Sequence, residues 1–249
     1  MKKINNFILS ITTISILSFA FYSCSNESEA EIISKDFKSR EIFINPQENF
    51  GIQHNEILEN SFFYSEENLD GIIENINNYT SSNVVSINEL EKVGYNFTEK
   101  TFTFDKKSLI NSGLSTNAQD FAFEFITSIS SKQDIITFQQ AIDYAKAKEI
   151  EVNDSNFSHY DKEHLFKMIA TFKNSSDFWY KYDQSPPENT IYKRKLGWLR
   201  WVAAALVDTA AAIITAPATP AVQIGVTVAA SGAVLLVDTV KIGWEVSTH

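Results

Sequence analysis

Residues 198–240 read WLRWVAAALVDTAAAIITAPATPAVQIGVTVAASGAVLLVDTV, and the reading of this stretch decides the fold. It divides into two apolar segments, 198–216 and 221–240, around Pro217-Ala218-Thr219-Pro220. Each has the roughly 20 residues a helix needs to cross a bilayer, and the proline pair turns the chain between them. The expectation is an apolar helical hairpin. In its second arm Ala221, Gly225, Ala229 and Ala233 lie four apart, a ridge of small residues that lets helix backbones approach closely. Leu206-Val207-Asp208-Thr209 recurs thirty residues on as Leu236-Val237-Asp238-Thr239, so each arm carries one carboxylate. Asp208 falls near the middle of the first arm, where membrane insertion of an Asp costs about 2.5–3.5 kcal/mol. Three uses stay open: membrane contact, packing of an Ala-rich helix pair on the rest of the chain, and self-association through the ridge. Trp198, Trp201 and Trp244 near the ends suit either an interface or a core.

Before the hairpin, 186–197 reads as a linker, with Pro186-Pro187 followed by the basic cluster Lys193, Arg194 and Lys195. The body, 45–185, is sparse in glycine and proline, which permits long helices. Apolar stripes at helical spacing run through it. They are Ile52, Leu58 and Phe62 after Asn45-Pro46; Leu69, Ile72, Ile73 and Ile76 after Glu66-Glu67; and Phe121, Phe125 and Ile129 with Ala122 and Ile126, after Asn117 as N-cap. Two more are Ile135, Phe138, Ile142 and Ala145, then Leu165, Met168, Ile169 and Phe172 behind a capping-box arrangement of Ser158 and Asp161. The alternating run 95–104, YNFTEKTFTF, reads as an extended stretch. The fold class expected is mainly α, a helical bundle with a C-terminal apolar hairpin.

The amino terminus has a different character. Lys2 and Lys3 precede an uncharged run, 7–22, of sixteen residues, too short to span a bilayer comfortably but suited to a secretory signal peptide. Then comes Ser23-Cys24-Ser25-Asn26-Glu27-Ser28-Glu29. This resembles the lipobox of bacterial lipoproteins, in which a small residue precedes the acylated cysteine; Phe21 and Tyr22 depart from its usual Leu and small residue. The resemblance implies cleavage before Cys24, lipid on Cys24, and residence in the cell envelope at the outer membrane, on its periplasmic face or the cell surface. Cys24 is the single cysteine, so no internal disulfide competes for it. Residues 24–44 then form an acidic tether, which in Bacteroidota lipoproteins accompanies export to the surface. The segments expected are a signal peptide at 1–23, the tether, the body at 45–185, the linker at 186–197 and the hairpin at 198–246.

Charge narrows the partners. After the signal, 19 basic and 31 acidic residues give −12; 24–190 carries 14 against 28, or −14, and 191–249 carries 5 against 3, or +2. An acidic body lacks the basic patches that neutralise nucleic-acid phosphates, so no nucleic-acid partner is expected.

No constellation in the sequence declares a catalyst or a cofactor site. His159 and His164 are five apart, not the four that place a ligand pair on one helix face, and no metal is expected. No serine stands in a Gly-x-Ser-x-Gly setting, and no glycine-rich loop cradles a phosphate. One histidine has a suggestive setting: Gly51-Ile52-Gln53-His54-Asn55-Glu56-Ile57-Leu58. With the cluster Ser175-Ser176-Asp177-Phe178-Trp179-Tyr180 and the small-residue-rich hairpin, it resembles a group of uncharacterised secreted Bacteroidota proteins, a resemblance that implies architecture and no activity. From the residues alone, His54-Asn55 reads as a hydrogen-bonding pair at a helix start. The expectation is a non-enzymatic, lipid-anchored envelope protein whose hairpin serves membrane contact or assembly. The alternatives are a bacteriocin-like protein whose hairpin enters a target membrane, and an enzyme with an unrecognised site.

Overall fold

The computed structural model describes residues 43–62, 69–80, 85–132, 136–184, 197–234 and 239–242, with the side chains of residues 62, 197–200 and 239 left out. Cys24 and Asp238 lie outside this set. The fold is mainly helical, with eight α-helices among the described residues: α1 (Glu48–Phe62), α2 (Leu69–Tyr79), α3 (Ile87–Lys92), α4 (Thr116–Ser130), α5 (Phe138–Asp154), α6 (His159–Gln184), α7 (Gly197–Ile214) and α8 (Pro220–Val234). A small sheet of β1 (Tyr95–Asn96), β2 (Thr101–Phe104) and β3 (Thr239–Ile242) completes it, with a 3-10 turn at Lys106–Leu109.

Local chemistry sets the helix starts. Asn45 turns the chain into α1, its side-chain oxygen accepting from Gln47 N at 2.8 Å. Ser86 caps α3, and Thr137 caps α5 in a reciprocal box with Gln140. The N-cap of α4 is Ser115 rather than Asn117, which is exposed inside the first turn. Ser115 is held in turn by Asp161: its N–H and its hydroxyl each donate to that carboxylate at 2.9 Å. The Ser158 hydroxyl donates to it as well, and Asp161 N donates back to Ser158 Oγ at 3.0 Å. One carboxylate therefore joins the start of α6 to the start of α4.

The stripes on α4 and α6 are buried as their spacing predicts: Phe121, Ala122, Phe125, Ile126 and Ile129, and Leu165, Met168, Ile169 and Phe172. Phe125 meets Phe172 edge to face, ring centres 5.4 Å apart. On α1 the face differs. Ile52 is 44% exposed, and the buried positions are Phe50, Gly51, His54, Ile57, Leu58 and Ser61. His54 is thus mid-helix and inward, not at the helix start.

The run 95–104 makes a two-stranded antiparallel hairpin, Tyr95 opposite Phe102, with Phe102 and Phe104 buried. Its β2 pairs in parallel with β3, Phe102 beside Val240 and Phe104 beside Ile242. The second apolar segment is therefore not one helix through residue 240: α8 stops at Val234, and Thr239 opens a strand whereas its repeat counterpart Thr209 is helical. β-Branched Thr239, Val240 and Ile242 suit a ladder better than a helix.

α7 and α8 sit inside the fold. α6 packs along α7, and α8 packs against α7, α1 and α2. From Trp201 to Ala216 only Ala203 and Ile214 are even half-exposed, and 223–234 is buried throughout. Gly232 lies so close to Ile72 of α2 that a Cβ there would meet the isoleucine at 3.1 Å. Among the described residues no helix is long and apolar enough to cross a membrane.

Candidate functional site

The site starts from a close approach of two helices. A Cβ at Gly51 would meet the Ala170 carbonyl oxygen and the Asn174 side chain at 2.5 Å, so glycine lets α1 lie against the backbone of α6. Polar contacts hold this approach from outside. Lys173 pairs with Glu48 at 2.5 Å and with buried Glu149 at 2.7 Å, and Asn174 donates to Glu48 at 2.9 Å. Glu149 in turn accepts from Asn45 at 2.6 Å, so α1, α5 and α6 share one network.

Just under one turn past Gly51, His54 points into the bundle with no exposure. Its Nδ1 lies 3.0 Å from Asn55 Oδ1, and Asn55 donates to the Asn174 carbonyl at 2.8 Å. Its Nε2 lies 3.4 Å from Oδ2 of Asp208, which has come in from α7 and is equally sealed. The Ser175 hydroxyl on α6 donates to the same Oδ2 at 2.5 Å. One turn along α6, Trp179 Nε1 donates to Ser231 Oγ of α8 at 2.9 Å, and both groups bear on the Asp208 carboxyl. Four helices converge on one carboxyl group.

The environment sets its protonation. Burial pushes the Asp208 carboxyl well above the usual carboxylate range, against the opposing hydrogen bonds of Ser175, Ser231 and Trp179. Burial likewise lowers His54 to about 4, the Asn55 contact pulling the other way. Several other polar groups of α7 and α8 are satisfied locally, although Gln223 Oε1, like Asp208 Oδ1, is buried without a hydrogen-bond partner. Thr209, Thr215 and Thr227 donate to carbonyls four residues back, and Gln223 donates to the Ala212 carbonyl across the two helices at 2.7 Å.

A serine, a histidine and an aspartate invite comparison with a nucleophile relay, and the geometry is wrong for one. A relay places histidine between serine and acid, so that the ring takes the hydroxyl proton. Here the carboxyl is central, and serine and histidine both address the same oxygen. Ser175, His54 and Asp208 are all fully buried, so no substrate reaches them. The arrangement can hold a proton and tie helices; it cannot transfer an acyl group as it stands.

Asp208 is thus at the polar centre. Gly225, Ala229 and Ala233 are buried by the chain itself, while Ala221, in the first turn of α8, is exposed. His159 is exposed and His164 is buried against Tyr160, so the two do not converge, and among the described residues no three metal-ligating side chains cluster. A surface pocket at the join of α4 and α5, lined by Ser128, Lys132, Gln140 and Tyr144 among others, carries no carboxylate or histidine for acid–base work among the described residues. Ser231 and the Trp179 N–H were not legible as site groups from sequence. A signal existed, since an aspartate inside an apolar helix demands polar partners, and Ser231 stands in an otherwise apolar run; Ser175, among Lys173, Asn174, Ser176 and Asp177, carried no such mark. No protein-family model, curated protein or solved structure matches the chain.

Proposed function

We propose that the chain is an exported, lipid-anchored envelope protein that performs no catalysis of its own, with Cys24 as the acylated residue. One observation carries the non-enzymatic part: the serine–histidine–carboxylate grouping at the centre of the bundle, Ser175, His54 and Asp208, is sealed at 0% exposure at every member. In this reading α7 and α8 form an apolar hairpin that is the axis of the helical unit. Membrane contact then comes from the lipid, not from the hairpin, because an insertion of α7 and α8 would strip the core from every helix that packs on them. The acidic body, −14 over 24–190, keeps the unit in water away from anionic headgroups.

The test is mass spectrometry of the mature amino terminus with membrane fractionation, on the native chain and on Cys24→Ser. The reading expects a diacyl or triacyl mass on Cys24 and membrane recovery that the substitution abolishes. A terminus without lipid, or a Cys24→Ser protein still held by membranes through α7 and α8, overturns it.

A further inference from the structure

We propose that Ser175, Asp208 and His54 form a clamp that holds a single proton and ties α1, α6 and α7 together, with α8 joined through Ser231, and that removing this proton at alkaline pH loosens the bundle at its centre. The geometry supplies the case. His54 Nε2 and Ser175 Oγ approach one carboxylate oxygen at 3.4 and 2.5 Å from two different helices, and all three side chains are sealed. In such a place the group of three tolerates net neutrality and little else. Neutrality means one proton, whether it sits on the carboxyl beside a neutral ring or on the ring beside a carboxylate. Losing it leaves a bare buried anion, and adding a second leaves a bare buried cation.

Among the described residues no other charge stands by to compensate. On α1, Glu48, Glu56 and Glu59 lie toward the surface; on α6, Lys173 is spent on Glu48 and Glu149, and Lys181 on Asp177. α7 from Trp201 onward and α8 carry no ionisable residue besides Asp208. On the elements packed outside them, Lys106 pairs with Asp120 and Lys148 with Glu124, while Asp70, Glu74, Glu91 and Lys107 are exposed and Lys92 pairs with Glu89.

The proton count fixes the sign. In the unfolded chain histidine titrates at 6.5 and aspartate at 3.8. Between those values the unfolded pair holds one proton, as the folded pair does, and the clamp adds no pH dependence. Above 6.5 the unfolded pair holds none while the folded pair still holds one, so stability falls as pH rises, until the folded carboxyl gives up its proton.

Denaturant unfolding of the full-length chain from pH 6 to 9, followed by tryptophan fluorescence, reads this directly. The ratio of the folding constants of the native chain and Asp208→Asn is expected to change up to tenfold per pH unit above 6.5, in the direction that penalises the native chain. Parallel profiles for the two proteins overturn the clamp. If Asp208→Asn does not fold, infrared difference spectra of the native chain between pH 7 and 10 decide the matter. Loss of a neutral-carboxyl band, or of imidazolium bands, supports the clamp, and a spectrum with neither change overturns it.

Discussion

His54 Nε2 lies 3.4 Å from Asp208 Oδ2, and the two residues, 154 positions apart in the chain, are both without surface exposure. Their pairing is what couples the first helix of the unit to its seventh. Removing one partner strands the other's polar atoms in an apolar interior, at about 1–3 kcal/mol for each orphaned group. Asp208→Leu orphans His54 and Ser175 together and is expected to destabilise by about 3 kcal/mol. The double change His54→Leu with Asp208→Leu should cost less than the sum of the two single changes by about 1 kcal/mol or more. Urea midpoints for the three variants measure this, and strict additivity would show that the pair is not coupled.

A second expectation concerns acid. In the native chain the depressed histidine and the raised carboxyl oppose each other below 6.5. The histidine, neutral when folded, withdraws stability as pH falls from 6.5 toward about 4. The carboxyl, protonated when folded, returns it over the same window. Asp208→Asn removes only the second effect. That variant should therefore become acid-sensitive where the native chain is not, losing about 3 kcal/mol between pH 6.5 and 4. Thermal unfolding at pH 6.5, 5.5 and 4.5 checks it, and equal acid slopes in both proteins would exclude His54 as the group responsible.

The parts of this fold that were legible beforehand are those where one face repeats without interruption. Phe121, Phe125 and Ile129, and Leu165, Met168, Ile169 and Phe172, announce their helices because large apolar residues recur at helical spacing and all of them are buried, although α6 also buries Lys167 and Thr171. α1 was misread in its face because His54 and Ser61 occupy core positions, and what makes a buried histidine acceptable is a carboxyl that arrives from α7. A periodicity over Ile52, Leu58 and Phe62 has no access to that partner. β3 was invisible for a related reason: an apolar run such as 221–240 reads equally as helix, and only pairing with β2 selects a strand for its end. Asp208 was legible as an anomaly but not as a centre. Its cost in an apolar helix was plain, and the residues that meet that cost lie on three other helices.

Gly51 yields a third prediction. Its missing side chain is what allows α1 to approach Ala170 and Asn174, and that approach sets the depth at which His54 enters the core. Gly51→Ala drives a methyl into a backbone carbonyl, which cannot swing aside as a side chain can. The expected loss is about 2–3 kcal/mol, despite alanine's better helix propensity, worth about 1 kcal/mol in the other direction. Differential scanning calorimetry of the variant decides it; a raised Tm would mean that α1 and α6 sit farther apart than the structure places them.

The fourth prediction concerns truncation after Glu188. Taken as a separable hairpin, residues 189–249 should be dispensable, leaving a soluble monomer once Cys24 is also replaced. The packing argues the opposite. Without α7 and α8, Trp179 and Ser175 lose the groups they face, Ile72 loses the backbone of Gly232 that it packs against, and β2 loses β3. The stripes on α1 and α6 would then face water, at roughly 25 cal/mol for each Å² of apolar surface uncovered. The Cys24→Ser protein ending at Glu188 is expected to lose cooperative thermal unfolding and to be digested by trypsin far faster than full-length Cys24→Ser. Circular dichroism melts and timed proteolysis of the two proteins distinguish the cases. A truncated chain that melts cooperatively near the full-length Tm would restore the hairpin as a separate module and remove α7 from the centre of the fold.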